Sequence, residues 1–574
     1  MYQRAGGNDR ALHGGTPWSG VASVTGYVGC ALALAGLAVW TASLALSRRA
    51  KQTRLYLPAL FLLALTLLPQ AQSRAQSLPQ EHAAPQAFAR ARQNPLLLES
   101  FVRAMPKGGD LHMHLSGAVY AETYIKDAGE DGLCVDTNSL SLAQPQADGS
   151  CTPGQVPAAG APSDQVLYDK LINAFSMRSF VAFAGFSGHD QFFATFGHFR
   201  AIKGSHSGEW LAEVANRAAG QNESYLEIMN TPDFSHTAAL SAKIGWPSDA
   251  DITPDFAAMR GKLLAGGLRD DVSAITGEIA AFESSRDTID HCGQPSAAPG
   301  CTIRMRYLFQ VLRGFPPQVV FAQTLLGFET VSAEMATGNA RYVGINFVMP
   351  EDGYISMRDY HLQMRMLDYL HAVYPQVHIS LHAGEIVPGL VPPDGLRFHI
   401  REAVDLGHAE RIGHGVDALH EDNPHALLSE MARKHVMVEI NITSNDVILG
   451  VTGIHHPLPE YLAAGVPVAL STDDEGVSRI DLTHEYVRAA TDFGLGYADL
   501  KKSARTSLEH SFLPGESLWK SPDRFTVMVA ACTAQPLGST APAPACAAYL
   551  ASSAKASAQW DLEARYRTFE ANFK

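Results

Sequence analysis

Basic charge is scarce in this chain of 574 residues: Lys and Arg number 44 against 58 Asp and Glu, a formal balance of −14. No stripe of Lys and Arg interleaved with aromatics runs along it. A net acidic chain grips phosphate backbones poorly, which argues against nucleic acid as a partner and for a neutral small molecule. Charge of either sign is also limited, at 18%, beside 46% hydrophobic residues. That composition excludes a disordered polymer and supplies a large core. Cysteine is confined to seven residues, none at C-x-x-C spacing, so neither a zinc ribbon nor a dithiol redox motif is present.

The N-terminus has the character of an export segment. An apolar run over 21–46, long enough to cross a bilayer, precedes Arg48, Arg49, Lys51 and Arg54. A second apolar run over 55–68 has the length of a signal-peptide core, and Ala71-Gln72-Ser73 offers small residues for cleavage. Two readings of 1–73 stay open. One is a complete signal over 46–73, with translation starting near Leu46; the other is a two-span membrane anchor. Both keep the basic patch in the cytoplasm and deliver everything after residue 73 to the periplasm or beyond, inner-membrane anchored in the second case. Cys30 lies in the first apolar run. The other six cysteines are sequence neighbours, Cys134 with Cys151, Cys292 with Cys301 and Cys532 with Cys546, each bracketing a Gly-, Pro-, Ala- or Ser-rich loop. In an exported chain such pairs imply disulfides, with neighbour pairing expected from proximity alone.

Residues 74–94 are rich in Ala, Gln and Pro and read as a linker. From residue 95 to about 515, short β-rich runs alternate with helical patterns. The candidate strands are 110–116, 224–229, 303–312, 342–348, 377–383, 411–414, 436–442 and 467–471. Between the fourth and fifth, the stretch 357–374 has helical periodicity, with Leu362, Met366, Leu367, Leu370 and Val373 on one face. Strand-then-helix repeated about eight times predicts an α/β (β/α)8 TIM-type barrel with long loop insertions; an open doubly wound sheet is the runner-up. The insertions fall at 126–163 and 231–300, each with a cysteine pair, and are expected to decorate the active-site side. A C-terminal extension, 516–574, ends in an amphipathic stretch over 560–573 that should pack on the barrel exterior.

The chemically capable residues fall at the C-terminal ends of the candidate strands: His112 and His114, His382 and Glu385, His414, and Asp473 with Asp474. A barrel places its active site there. Two His at i, i+2 on a strand point to one side, so both can reach one ion. Catalytic zinc takes three or four N/O ligands with a position open to water, and a bound cation makes hydroxide available at neutral pH. For His378, His399, His408, His420, His455 and His456 the plain reading is a hydrogen-bonded surface residue. Asp473-Asp474 has a rival reading as a helix N-cap. Glu439 and Asn445 are expected to brace the site, and Glu475-Gly476 to start a loop.

Taken in chain order, five segments resemble the adenosine deaminase family. They are Met105-Pro106-Lys107-Gly108-Gly109-Asp110-Leu111-His112-Met113-His114, Leu381-His382-Ala383-Gly384-Glu385, Arg411-Ile412-Gly413-His414-Gly415, Glu439 with Thr443-Ser444-Asn445, and Ser471-Thr472-Asp473-Asp474. The Met-Pro-Lys-Gly start and the exported form look more like the secreted, growth-factor-type branch. The resemblance implies one Zn2+ per chain on His112, His114, His382 and Asp473. It implies Glu385 as the acid that protonates purine N1, and His414 and Asp473 as the groups that orient and deprotonate water. Asp474 would bond purine N7, with His114, Ser116, Met349 and Gly384 also at the substrate. The implied reaction is hydrolysis of a cyclic amidine C–N bond: adenosine, and 2′-deoxyadenosine, to inosine and ammonia. A homodimer is compatible with it. Three departures bear on substrate grip: Ser116 and Asn346 stand where the cytosolic branch has Asp, and Met349 where it has Gly. The alternatives are a deaminase of another 6-aminopurine, another barrel metal hydrolase, or a secreted binding or signalling protein without activity. A two-metal hydrolase bridged by a modified Lys finds no Lys at the end of the fourth candidate strand, where Val348 and Met349 stand.

Overall fold

The computed structural model describes residues 83–202, 204–247 and 254–573. The expected export segment 1–73 and the first part of the linker lie outside the described residues. Among those described, no helix is long and apolar enough to cross a membrane.

Eight parallel strands form one sheet in chain order: β1 (Gly108–His114), β5 (Glu223–Asn230), β6 (Arg304–Leu312), β7 (Tyr342–Val348), β8 (His378–Ala383), β9 (Arg411–His414), β10 (Met437–Ile440) and β11 (Val468–Leu470). The ring closes where Met113 bridges Asp473 and the Asp473 amide donates to the His112 carbonyl at 2.8 Å. The expected barrel is therefore present, with all eight expected strands in place. β1, β7, β9, β10 and β11 are buried along their whole length, as strands with a packed interior and helices outside must be. Only strand ends differ from expectation. β1 stops at His114, and Leu115–Ala118 turns into a short helix that carries Ser116 away from the sheet.

The crossover helices cover the outside. The helix Tyr354–Val373 buries Tyr360, Met364, Met366, Leu367 and Leu370, while Leu362 is half-buried and Val373 is 38% exposed. The buried stripe is thus rotated from the expected one, because Tyr360 and Met364 outcompete Leu362 and Val373 for the barrel surface. Residues 83–94 are not linker: Ala83–Ala91 is a helix whose Phe88 meets Phe101 edge-on at 5.5 Å. The last helix, Ala554–Glu570, packs against the same cluster, with Phe569 at 5.2 Å from Phe101 and the Tyr566 hydroxyl donating to the Pro106 carbonyl.

The first insertion folds into a small antiparallel sheet of β2 (Cys134–Asp136), β3 (Ser141–Ala143) and β4 (Gln155–Pro157), closed by the Cys134–Cys151 disulfide. Among the described residues, the second holds three helices, Ser235–Ile244, Phe256–Ala265 and Leu268–Ile289. Its Cys292–Cys301 disulfide sits just before β6 begins, so it staples the strand-start side of the barrel and not the active-site side. Cys532–Cys546 closes the tail, giving the three neighbour pairings expected.

Lys107 shows why the Met-Pro-Lys-Gly start is structural. Its buried ammonium donates to the carbonyls of Val102, Met105 and Gln221 at 2.7, 3.1 and 2.6 Å, capping the open end of the helix Pro95–Ala104.

Candidate active site

The barrel brings His112, His114, His382 and Asp473 together at the C-terminal mouth, with one ligand atom of each within 4.8 Å of the others. All four are buried. Each imidazole has its Nδ1 engaged by a different strand. His112 Nδ1 lies 2.6 Å from Glu439 Oε2, His114 Nδ1 3.0 Å from Gln310 Oε1, and His382 Nδ1 2.7 Å from Asn346 Oδ1. These partners set each ring and leave Nε2 for a ligand, the usual support for metal-binding histidines. His112 Nε2 is buried with no hydrogen-bond partner. It lies 3.7 Å from Asp473 Oδ1, and His114 Nε2 lies 3.3 Å from the same oxygen. An orphaned imidazole nitrogen facing a carboxylate and two more imidazoles fits a divalent cation with N/O preference.

Glu439 does more than brace. It also sits 3.0 Å from the Ser380 hydroxyl and 2.7 Å from Arg411 Nε, so three strands are tied to one carboxylate. Asn346, at the position where the cytosolic branch has Asp, supports His382 as a neutral acceptor.

Three non-glycine residues at the strand ends take left-handed backbone: Met349 (φ 100°), His414 (φ 68°) and Asp473 (φ 62°). Such conformations persist where the surroundings over-determine them, and they cluster at functional sites. Asp473 is held by Ser444, whose hydroxyl donates to Oδ2 at 2.6 Å. His414 is fully buried, 3.7 Å from Glu385 Oε1 and 3.8 Å from Asp473 Oδ2. Its Nδ1 meets Asn445 Nδ2 at 3.0 Å, and Asn445 Oδ1 meets His456 at 3.1 Å.

A cavity of about 440 Å3 opens beside the cluster and reaches His114, His382, Glu385, Asp473 and Asp474. Its wall includes Phe192, Phe193 and Phe196, from the helix Gly188–Phe199, together with Met349 and Ser116. That helix starts with a capping box, Ser187 and Asp190 each accepting from the other's backbone amide, which aims its aromatic side at the mouth. An adjoining cavity of about 350 Å3 shares Ser116, Phe196 and Gln310 and extends to Asn230, Asp233 and Trp210.

Burial pushes the Glu385 carboxyl well up, with Asp473 and Glu351 adding repulsion. Burial does the same to Asp474, with His114 opposing. Both shifts favour the neutral acid over the carboxylate. Asp474 begins the short helix Glu475–Ser478 but makes no side-chain cap bond, so the N-cap reading does not hold. Its carboxyl lies where a Cβ on Gly117 would sit, 1.4 Å from Oδ1, so residue 117 has to be glycine for Asp474 to reach the cavity. Burial and the neighbouring imidazoles drive His382 well down, and burial drives His414 to about 3, leaving both neutral. Burial lowers His114 too, but Asp474 and Asp473 outweigh it and raise it to about 9.

Gly384 is placed differently from expectation. It does not line the cavity: its amide donates to Glu351 Oε1 at 3.0 Å, and a Cβ there would lie 2.3 Å from Asp417 Oδ1. Its part is to let the chain turn (φ 79°) over two buried carboxyls. Met349 lines the cavity, yet its thioether folds over Gly314, where a Cβ would lie 2.9 Å from the sulfur. Glu351 was missed. Its carboxylate accepts the amides of Gly384 and Glu385, the latter at 2.7 Å, and bonds His399 Nδ1. The plain surface reading therefore fails for His399 and His456, both buried. His420 and His455 are exposed and His378 and His408 only half-buried, as that reading requires. Glu475 does not merely open a loop: it is buried and pairs with Arg217 at 2.7 Å.

The model of the family described as adenosine deaminase matches residues 296–521. The adenosine deaminase of Escherichia coli (strain SE11) is 39% identical over 140 residues, 24% of this chain and 39% of that protein. The chain thus matches well under half the length of the curated relatives. Among solved structures, an adenine deaminase from Arthrobacter aurescens is 17% identical with a TM-score of 0.45, covering 71% of this chain and 94% of that one. An N6-mAMP deaminase from Arabidopsis is 20% identical with a TM-score of 0.44, covering 72% and 96%. The matched stretch holds His382, Glu385, His414, Asp473 and Asp474, while His112 and His114 reach the same cluster from outside it. Over residues 296–521, the part of the barrel that carries those first five residues, the chain is thus similar to adenosine deaminases.

Proposed function

We propose that this protein hydrolytically deaminates a 6-aminopurine nucleoside, with adenosine and 2′-deoxyadenosine as favoured substrates, using one zinc ion on His112, His114, His382 and Asp473. The observation that carries the reading is the convergence of that ligand set with two carboxyls raised by burial, Glu385 and Asp474, on one cavity walled by three phenylalanines.

A zinc ion held there supplies Lewis acidity and makes hydroxide available at neutral pH. Protonated Glu385 donates to purine N1, which draws electrons from C6 and prepares it for attack by water. His414, neutral and 3.7 Å from Glu385, receives the proton of the attacking water, with Asp473 on its other side. Asp474, also protonated, donates to N7 and fixes which face of the ring meets the cluster. Phe192, Phe193 and Phe196 offer apolar faces to the base, and the adjoining cavity past Ser116 has room for the sugar. His414 passes that proton to the C6 amino group, which leaves as ammonia, the new C6 hydroxyl gives its proton back to Glu385, and the 6-oxopurine protonated at N1 is the product. The three disulfides support delivery to an oxidising compartment outside the inner membrane.

The test is the fall in absorbance as adenosine becomes inosine, run beside 2′-deoxyadenosine, adenine and an N6-substituted nucleoside. Turnover of the first two, abolished by chelator and restored by zinc, is the expected result. A fully folded, zinc-loaded protein that turns over no 6-aminopurine overturns the reading.

A further inference from the structure

A second group of ligating side chains converges away from the barrel mouth, between the helices Ala121–Glu130 and Ser207–Gly220. Asp127 and Glu130 come from the first helix, Glu209 from the second and His206 from the turn before it; one ligand atom of each lies within 4.8 Å of the others. His206 is only 8% exposed, and its Nδ1 has no hydrogen-bond partner. That nitrogen faces the carboxylates, 3.4 Å from Glu209 Oε1 and 3.7 Å from Asp127 Oδ1. The ring's other nitrogen is held by Asp131 Oδ1 at 3.1 Å. A carboxylate behind an imidazole whose free nitrogen faces acidic oxygens is the support that metal-bound histidines commonly have. Asp127 is oriented in the same way: its Oδ2 accepts from Trp210 Nε1 at 2.8 Å, which leaves Oδ1 toward His206.

The Lys126 ammonium stands among the same carboxylates, 2.8 Å from Glu209, 3.0 Å from Glu130 and 3.5 Å from Asp127 Oδ1, where a cation would displace it, on a side chain that is 54% exposed. The three candidate ligand carboxylates against one ammonium leave two negative charges unmatched, and Asp131 behind the ring adds a third, so the group favours a cation. One imidazole with three carboxylates suits zinc or manganese better than calcium, which prefers an all-oxygen shell.

We propose that Asp127, Glu130, His206 and Glu209 form a second divalent-cation site, which ties the base of the first insertion to the helix Ser207–Gly220 and which the Lys126 ammonium opposes. None of the four lines the catalytic cavity. The competing arrangement, a protonated His206 clasped by carboxylates, holds no ion.

Zinc is the probe, added to the chelator-stripped full chain and counted per chain after removal of free ion. Two ions are expected in the wild type, and one in His206→Ala and in Asp127→Asn. The double variant His112→Ala/His114→Ala should keep one, so failure of the catalytic site and failure of this one are read separately. In that double variant, Co2+ should quench tryptophan emission, and the quenching should vanish on adding Trp210→Phe. Lys126→Met, at an exposed side chain that tolerates substitution, should bind the second ion about tenfold more tightly. A saturated wild type holding one ion, a His206→Ala protein still holding two, or no gain in Lys126→Met overturns the proposal.

Discussion

Glu351→Gln tests how Glu385, the proposed acid, is held. Glu351 is buried, and its two oxygens accept the Gly384 and Glu385 amides at 3.0 and 2.7 Å while one also bonds His399. Arg313, itself fully buried, stands 3.9 Å away and donates to the His382 carbonyl at 2.9 Å. A glutamine keeps the shape but turns an NH2 toward one of these donors and removes the charge that Arg313 faces. Breaking a buried charge pair on one side costs about 3–5 kcal/mol. The same charge pairing should appear in the acid limb of the stability curve. Burial raises this carboxyl, but His399, Arg313 and the Gly384 amide outweigh it and bring it to about 2, against 4.5 for an ordinary glutamate. A folded value below the unfolded one means that the stabilisation is complete above about pH 4.5. It is lost as pH falls toward about 2, because the unfolded chain takes up the proton first. The gap corresponds to roughly 3 kcal/mol. Urea unfolding of the full chain from pH 7 to pH 3 should show the variant less stable at pH 7 and with a shallower acid limb. Release of the Gly384–Glu385 turn should also lower kcat about tenfold to a hundredfold with zinc content unchanged, since a misplacement near 1 Å is worth about that much. A variant with wild-type midpoint and kcat within about twofold refutes the reasoning.

Glu385→Gln should retain the metal and lose about 10²–10⁴-fold in turnover, measured by inosine formation beside a zinc count. Near-native activity would remove Glu385 from the role of acid. Zinc added to stripped protein near pH 7.5 should release a proton from His114, raised to about 9 by Asp474 and Asp473, and weakly buffered indicator dye should record it; no release would mean that His114 is not a ligand. Glu227→Ala should cost about 3–5 kcal/mol in urea unfolding, because it leaves the fully buried Arg411, 2.6 Å away, without that partner. Arg411 is the hub from which Glu439 orients His112, so zinc affinity should fall with it.

The site residues that could be read ahead of the fold share one property: their spacing alone constrains them. His112 and His114 at i, i+2 must share a side of a strand, and Glu385 follows His382 by three residues across a glycine turn. Asp473-Asp474 follows an apolar run that can only be a buried strand. What could not be read was whatever depends on a neighbour in space. Gln310, Asn346 and Glu439 are unremarkable polar residues inside strands, and only the ring order of the barrel sets each behind a different imidazole. Glu351 sits in an ordinary Pro-Glu-Asp turn. The one available signal for the cavity wall was the i, i+1, i+4 spacing of Phe192, Phe193 and Phe196, which also suits a plain core face. His399 and His456 looked like surface residues because sequence says nothing of burial.

Local chemistry decided the repeating strand–helix order, the neighbour cysteine pairs and the identity of the candidate ligating side chains, because each follows from periodicity or short-range spacing. Closure of the barrel decided the rest. Setting β11 against β1 delivers Asp473 to two histidines some 360 positions earlier in the chain. It also buries Glu385 and Asp474, which pushes both carboxyls well above their usual range. Burial and proximity are properties of the packed ring, and no segment carries them alone.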